Sequence, residues 1–268
     1  MRKIAINIVL VFMTLVSTAQ DSSFTLVRTY EGDIAGAAMD NLDNLYIVSS
    51  NGQVRKFNSS GDSTGLYNQV RNFGQLSSID VSNPLKLLLF YKDFSTIVTL
   101  DRYLSPISTI DLKRFSILQP VAVGLSYDNN IWVYDEYDHK LKKIDEQGNN
   151  LMETADFRSV FNQTISPQKI INDNGLVYLA DTLNGVFVFD NYGSFQKKIP
   201  LVNWQSIAIS KSNIISTSNE WISVYNPSSF METKKRNPFF APYLHSFTTT
   251  NKLVTFTNTK LQVWQYRF

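Results

Sequence analysis

Asn44-Leu-Tyr-Ile-Val48, a short polar turn, then Gln53-Val-Arg-Lys-Phe57 closed by Asn58: this stretch decides the fold. The first run is apolar throughout, while the second alternates as one face of a strand does. The pair is repeated down the chain. Leu87-Leu-Leu-Phe90 is followed by Ile97-Val-Thr-Leu100 and Asp101, and Ile131-Trp-Val-Tyr134 by Leu141-Lys-Lys-Ile144 and Asp145. Val177-Tyr-Leu-Ala180 is followed by Val186-Phe-Val-Phe189 and Asp190, and Ile214-Ile-Ser-Thr217 by Ile222-Ser-Val-Tyr225 and Asn226. Leu253-Val-Thr-Phe256 and Leu261-Gln-Val-Trp264 complete the series. The interval is roughly 40 to 45 residues, the period of propeller blades.

Working outward from these pairs, each blade gains an inner and an outer strand. Residues 34–39 are small and apolar, as the crowded axis requires, and inner strands are expected near 77–81, 120–125, 168–172, 205–210 and 245–250. Outer strands are expected near 64–70, 105–112, 150–157, 195–201 and 230–236. The last repeat has no fourth strand, and the alternating segment Phe24 to Tyr30 stands unpaired before the first. Supplying one with the other closes the ring and removes two exposed edges. The expectation is an all-β fold, a six-bladed β-propeller closed by an N-terminal strand that completes the last blade.

Arg2 and Lys3 precede the apolar run Ile4 to Val16, and Ser17-Thr-Ala19 offers small residues for cleavage before Gln20. This is the pattern of a secretory signal peptide, too short for the roughly 20 apolar residues of a membrane span. The chain is read as a signal peptide at 1–19 and a propeller at 20–268, exported to the periplasm with no membrane insertion after cleavage. No cysteine stands at the cleavage point, so it is not read as a lipoprotein, and the 268 residues contain no cysteine at all. Disulfides and thiol chemistry are therefore excluded. Without residues 1–19 the chain keeps 23 basic and 23 acidic side chains. That balance gives no electrostatic case for nucleic acid or anionic lipid.

Asp40-Asn-Leu-Asp-Asn44, Asp128-Asn-Asn130 and Asn172-Asp-Asn-Gly175 resemble calcium loops in composition only. None has both the Gly of the sharp bend and the closing bidentate Glu, so they are read as turns. The densest ligand-like cluster, Asp135-Glu-Tyr-Asp138-His139, falls in a hairpin and is read as a solvated loop. His139 and His245 are the only histidines, and His245 opens an inner strand that faces the channel. Lys140-Leu-Lys-Lys143 and Lys234-Lys-Arg236 are read as solvent faces. Neither a phosphate-cradling loop nor a nucleophile elbow occurs. No catalytic residue, metal or cofactor is expected.

One feature rises above this background. The connections from each outer strand to the next inner strand carry Phe73, Phe115, Phe161, Trp204, then Phe239, Phe240 and Tyr243, and all emerge on one face of the disc. Each ring either wedges between adjacent blades or points outward to meet a protein, since aromatics are enriched at interface cores. Asn237-Pro-Phe-Phe-Ala-Pro-Tyr243 is the strongest outward case, with two prolines that lower the entropy lost on binding.

The blade sequences, with Val54-Arg-Lys-Phe-Asn-Ser-Ser-Gly61 and Leu141-Lys-Lys-Ile-Asp-Glu-Gln-Gly148, resemble those of NHL and YncE-like six-bladed propellers over nearly all of 24–268. The leader ending Thr18-Ala-Gln20 resembles those of exported Bacteroidota proteins. Within that phylum a small cysteine-free propeller is similar to the Plug family of the type IX secretion system, which seals the periplasmic mouth of the translocon. The resemblance implies a non-enzymatic, periplasmic protein-binding propeller, a monomer in a hetero-complex with an envelope or outer-membrane partner. No sorting domain is recognised after the last blade, which favours the periplasm over the cell surface. The same architecture hosts calcium-dependent, gluconolactonase-like lactonases, whose ligands here would have to come from Asp80 and Asn172. Carbohydrate binding by exposed aromatics is a third reading.

Overall fold

The computed structural model describes residues 24–68, 73–238 and 244–266, so the expected leader, Phe239, Phe240 and Tyr243 lie outside the described residues. Among the described residues the strands form six four-stranded antiparallel sheets, each taken here from its inner to its outer strand. Blade 1 is Gly36–Met39, Leu45–Val48, Val54–Phe57 and Ser63–Tyr67; blade 2 is Ser78–Asn83, Lys86–Tyr91, Thr96–Asp101 and Pro106–Asp111. Blade 3 is Pro120–Leu125, Ile131–Asp135, Lys140–Ile144 and Asn150–Glu153; blade 4 is Lys169–Asp173, Leu176–Asp181, Gly185–Asp190 and Phe195–Ile199. Blade 5 is Ser206–Ser210, Asn213–Thr217, Trp221–Asn226 and Met231–Arg236. Blade 6 is His245–Thr248, Lys252–Phe256 and Lys260–Tyr266, with Phe24–Glu31 as its outermost strand.

That last strand is the expected closure. Phe24 lies opposite Tyr266 and Glu31 opposite Lys260, with a bulge between Leu26 and Arg28. The pairing runs on into the connection, where Gly32 N–H donates to Thr259 O and Ile34 N–H to Asn258 O, both at 3.0 Å. The six-bladed propeller and its closure are as the repeats imply.

The apolar second strands follow from where the core sits. Each lies between two neighbours, so both of its faces are buried and the polar alternation of a half-solvated strand disappears. In blade 2, Leu87, Leu89 and Tyr91 pack toward Tyr46 and Val54 of blade 1, while Leu88 and Phe90 pack toward Ile131 and Val133 of blade 3. In blade 3, Trp132 and Tyr134 turn the other way, toward Val177 and Leu179 of blade 4. The core is thus six inter-blade layers rather than one centre. Near the axis the strands crowd: a Cβ on Gly124 would stand 2.6 Å from Ile170 O of the next blade.

The acidic or amide residue that ends each third strand caps the hairpin to the outer strand. Asp101 Oδ1 accepts from Tyr103 N–H and Ser105 N–H, both at 2.8 Å. Asp145 and Asp190 repeat the arrangement with the amides two and four residues on. The fourth turn residue is left-handed, and Gly61, Gly148 and Gly193 suit it with φ of 88°, 94° and 77°. Blade 2 puts buried Leu104 there at φ 67°, and the turn of blade 5, one residue longer, ends on left-handed Phe230 at φ 57° and 78% exposed. A left-handed non-glycine residue costs about 1–2 kcal/mol, and this ring recovers little by burial. Phe230→Gly is therefore expected to raise stability by about 0.5–1 kcal/mol after glycine's own entropy cost, as a shift of the urea midpoint at constant slope.

The composition-only calcium loops are turns. Asp40 accepts from Leu42 N–H and Asn44 N–H at 2.9 Å, from Asn44 Nδ2 at 2.8 Å and from the Tyr46 hydroxyl at 3.0 Å. Burial and the Asp40 charge hold that buried tyrosine protonated far above its ordinary range.

Candidate interaction face

Two kinds of loop meet on one face of the disc: the connections between blades and the hairpins joining second to third strands. We call it the linker face. Of the two readings open for the linker aromatics, the four described ones take the first: they wedge between blades beneath this face. Phe73 packs on the layer between blades 1 and 2, its ring 5.4 Å from Tyr91. Phe115 packs between blades 2 and 3. Phe161 packs between blades 3 and 4, with Phe187 at 5.2 Å and Phe195 at 4.7 Å. Trp204 is buried between blades 4 and 5. Each stands where two blades diverge, and filling that gap removes more ring surface from water than pointing outward would. These four rings do not form an exposed crown.

The hairpin Asp135-Glu-Tyr-Asp138-His139 is not the solvated loop its composition suggests. Asp135 is fully buried and accepts from Gln119 N–H at 2.8 Å and Leu118 N–H at 3.2 Å, tying the hairpin to the linker that enters its blade. Lys142 Nζ reaches it at 2.9 Å and Asp138 at 2.7 Å. Burial alone would lower the Lys142 amine, but the Asp138 and Asp135 carboxylates outweigh it and hold the amine above its ordinary value. Blade 4 repeats the device: buried Asp181 accepts from Ser166 N–H at 2.8 Å, Leu183 N–H at 2.8 Å and Asn184 N–H at 2.9 Å. Lys143 also departs from the solvent-face reading. It is buried, with Nζ 2.6 Å from Asp128 and 5.2 Å above the Trp132 ring. Lys234 and Arg236 are exposed, as expected.

In the channel, Asp80 and Asn172 hold neighbouring blades together. Asp80 Oδ2 accepts from Leu125 N–H at 2.7 Å, and Asn172 Oδ1 from Tyr127 N–H at 2.6 Å. Asp173 repeats the staple with Ser212 N–H at 3.1 Å. Lys169 donates to Ile207 O at 3.0 Å, and the crowding of the inner strands lowers its amine against the opposing pull of Asp80. His245 is exposed at the start of its strand, its ring stacked on Phe256 at 5.2 Å. Among the described residues no three His, Asp or Glu side chains converge as metal ligands.

What the linker face does expose is aliphatic and aromatic surface from other positions. Phe94, Leu118, Tyr137, Val160, Leu183, Val202 and Trp221 follow one another across blades 2 to 5, with Leu183 at 79% and Tyr137 at 64% exposure. Between blades 3 and 4 they border a cleft of about 420 Å³ lined by Glu136, His139, Gln168, Asp181, Leu183 and Asn184, among others. The opposite face also bears apolar tips, Leu42, Leu85, Tyr103, Tyr127, Tyr192 and Phe230 among them, set at separate hairpins. The sequence carried no signal for Phe94, Tyr137 and Leu183, because each is a single apolar residue in an otherwise polar loop.

No family model matches the chain, and no curated protein sequence does. Solved structures do. The chain is similar to a streptogramin B lyase at 15% identity, covering 86% of this chain and 78% of that one with a TM-score of 0.59. It is similar to BamB from Moraxella catarrhalis at 10% identity, covering 91% and 100% with a TM-score of 0.57. It is also similar to BBS1N solved in complex with ARL6DN, at 9% identity, 91% and 97% coverage and a TM-score of 0.58. At such identities the likeness is one of fold. The protein is a six-bladed β-propeller; of the structures it is similar to, one is a lyase and another was solved in complex with a second protein.

Proposed function

We propose that this chain is a non-enzymatic propeller that docks through its linker face on a protein of the cell envelope. The observation that carries the proposal is the succession of exposed apolar side chains from Phe94 to Trp221 across four adjacent blades. Single exposed apolar residues are ordinary on any surface; exposed apolar residues at successive loops of one face, in polar surroundings, are what a protein-binding surface presents. The channel supports the non-enzymatic reading, because the side chains a lactonase would need, Asp80 and Asn172, already accept hydrogen bonds from neighbouring blades. The finer form of the proposal keeps the sequence resemblance: a periplasmic, NHL-like propeller of Bacteroidota, exported by the leader at 1–19, sealing the type IX translocon as a Plug does.

The test is capture of the tagged protein from detergent-solubilised envelopes, beside two double variants. Tyr137→Ser with Leu183→Ser is expected to reduce recovery of a large outer-membrane protein at least about tenfold, as loss of central apolar contacts does. Tyr192→Ser with Phe230→Ser, on the other face, is expected to leave it unchanged. Loss with the second pair alone would move the docking site to the opposite face. Calcium-dependent hydrolysis of a lactone by the purified protein would replace docking with the enzymatic reading, and retention on a glycan array with the carbohydrate reading.

A further inference from the structure

The even balance of charge over the whole chain hides a separation around the disc. Residues 101–181 carry eight Lys and Arg against twelve Asp and Glu, whereas residues 182–238 carry six against three. Five of those six stand on two adjacent outer strands, Lys197 and Lys198 in blade 4 and Lys234, Lys235 and Arg236 in blade 5. Each outer strand runs toward the linker face, so Arg236 ends there. Lys235 lies opposite Ile222, which packs toward blade 6, so Lys234 and Arg236 alternate toward blade 4. Lys197 reaches the same groove from blade 4, its Nζ 3.4 Å from Pro227 O. Lys197, Lys198, Lys234 and Arg236 are exposed. Glu232, 3.0 Å from Lys234, and exposed Glu220 offset part of this charge, while Asp190 caps a turn at the other face. Lysines on a free edge also discourage edge-to-edge pairing, but the outer strands of blades 1 and 2, Ser63–Tyr67 and Pro106–Asp111, have none. Edge protection therefore does not account for the cluster. A second observation is apolar. Trp221 lies directly opposite Arg236 and is 42% exposed, whereas the other three tryptophans are at most 9% exposed. Val202, also exposed, stands on the linker between the same two blades.

We propose that this corner of the disc rests on an anionic lipid surface, with the five cations over the headgroups and Trp221 at the boundary. The inference goes beyond docking on a protein and adds a second contact at the edge of the same face. Four of the five cations are lysines, which the cores of protein interfaces disfavour. A lysine is a point charge on a flexible stem and meets a phosphate without the fixed fork geometry of arginine. Basic clusters of this size are drawn to anionic leaflets, and tryptophan is enriched where headgroups meet hydrocarbon. The long lysine stems can lie along apolar surface while their heads reach the phosphates.

The test sediments the purified full chain with phosphatidylcholine vesicles, prepared with and without phosphatidylglycerol, at low salt. The chain is expected to sediment only with the phosphatidylglycerol vesicles and to be released as salt is raised. Tryptophan emission is expected to move to shorter wavelength on binding, and Trp221→Phe to lack that shift. Lys234→Gln with Lys235→Gln is expected to weaken sedimentation at least about tenfold. Lys113→Gln with Arg114→Gln, exposed on blade 2 across the disc, is expected to leave it unchanged. No sedimentation with either vesicle, equal sedimentation with both, full binding by the Lys234 and Lys235 variant, or a shift that persists in Trp221→Phe would overturn the proposal. Capture from detergent-solubilised envelopes separates this from the docking reading, because the Lys234 and Lys235 variant is expected to keep the protein partner. Loss of that partner with this variant, without vesicle binding by the wild type, would assign the cluster to an acidic protein surface and overturn the lipid contact. If no partner is captured at all, docking falls and the vesicle result stands by itself.

Discussion

Phe24→Ala is expected to cost about 3–5 kcal/mol of folding stability, the range for removing a buried ring. Phe24 is 5% exposed and sits with Tyr266, Trp264, Leu253 and Ile222 in the layer between blades 5 and 6. It also anchors the only strand of its blade that comes from the far end of the chain. Losing it removes side-chain packing and loosens the pairing that closes the ring. Against a typical total of about 5–15 kcal/mol, that is a large fraction. Urea unfolding followed by tryptophan fluorescence measures it. Leu26→Ala, two residues on and 43% exposed, is expected to stay within about 0.5 kcal/mol. Equal effects of the two would show that the strand does not hold the ring shut.

The second large effect is expected at Asp135. Asp135→Ala leaves Lys142 with Asp138 alone and strands the amides of Leu118 and Gln119, at about 3–5 kcal/mol for one partner of a buried pair. The double variant Asp135→Asn, Lys142→Met is expected to cost less than the two single changes together, because the charge is removed from both sides. A pH profile gives an independent reading. The folded amine of Lys142 lies above its ordinary 10.5. A raised amine contributes its stability in full below the unfolded value and loses it as pH climbs through the folded one. The wild type should therefore weaken in strong alkali by a component that Lys142→Met lacks. An identical alkaline decline in both would assign the ion pair no role.

The blades were legible because the physics that makes them is local. Leu87 to Phe90 reads as a strand buried on both sides, and Asp101, Asp145 and Asp190 mark the ends of third strands by capping the turns that follow. Even the closure could be inferred, since an orphan strand at one end answered a missing one at the other. The site was less legible. Whether a linker aromatic wedges or protrudes depends on the gap between two blades, which lies far from it in sequence, and Phe73, Phe115, Phe161 and Trp204 all filled that gap. Asp135 and Lys142 looked solvated because charged residues in a hairpin usually are. Only the neighbouring linker, with its amides at Leu118 and Gln119, makes the buried carboxylate tolerable. Leu183 and Tyr137 were missed for the opposite reason: a lone apolar residue in a polar loop carries no pattern.

The seam between Phe24–Glu31 and Lys260–Tyr266 also sets an order in time. The strand made first must wait for the strand made last, across roughly 240 residues, and closing so long a loop costs about 5 kcal/mol in chain entropy. The other five blades pair only neighbouring strands and can form as they are synthesised. The ring is therefore expected to remain an open crescent until its final step, with two bare sheet edges during that interval. The same seam, among the described residues the one place where a blade is not continuous in the chain, is where the folded ring would first come apart.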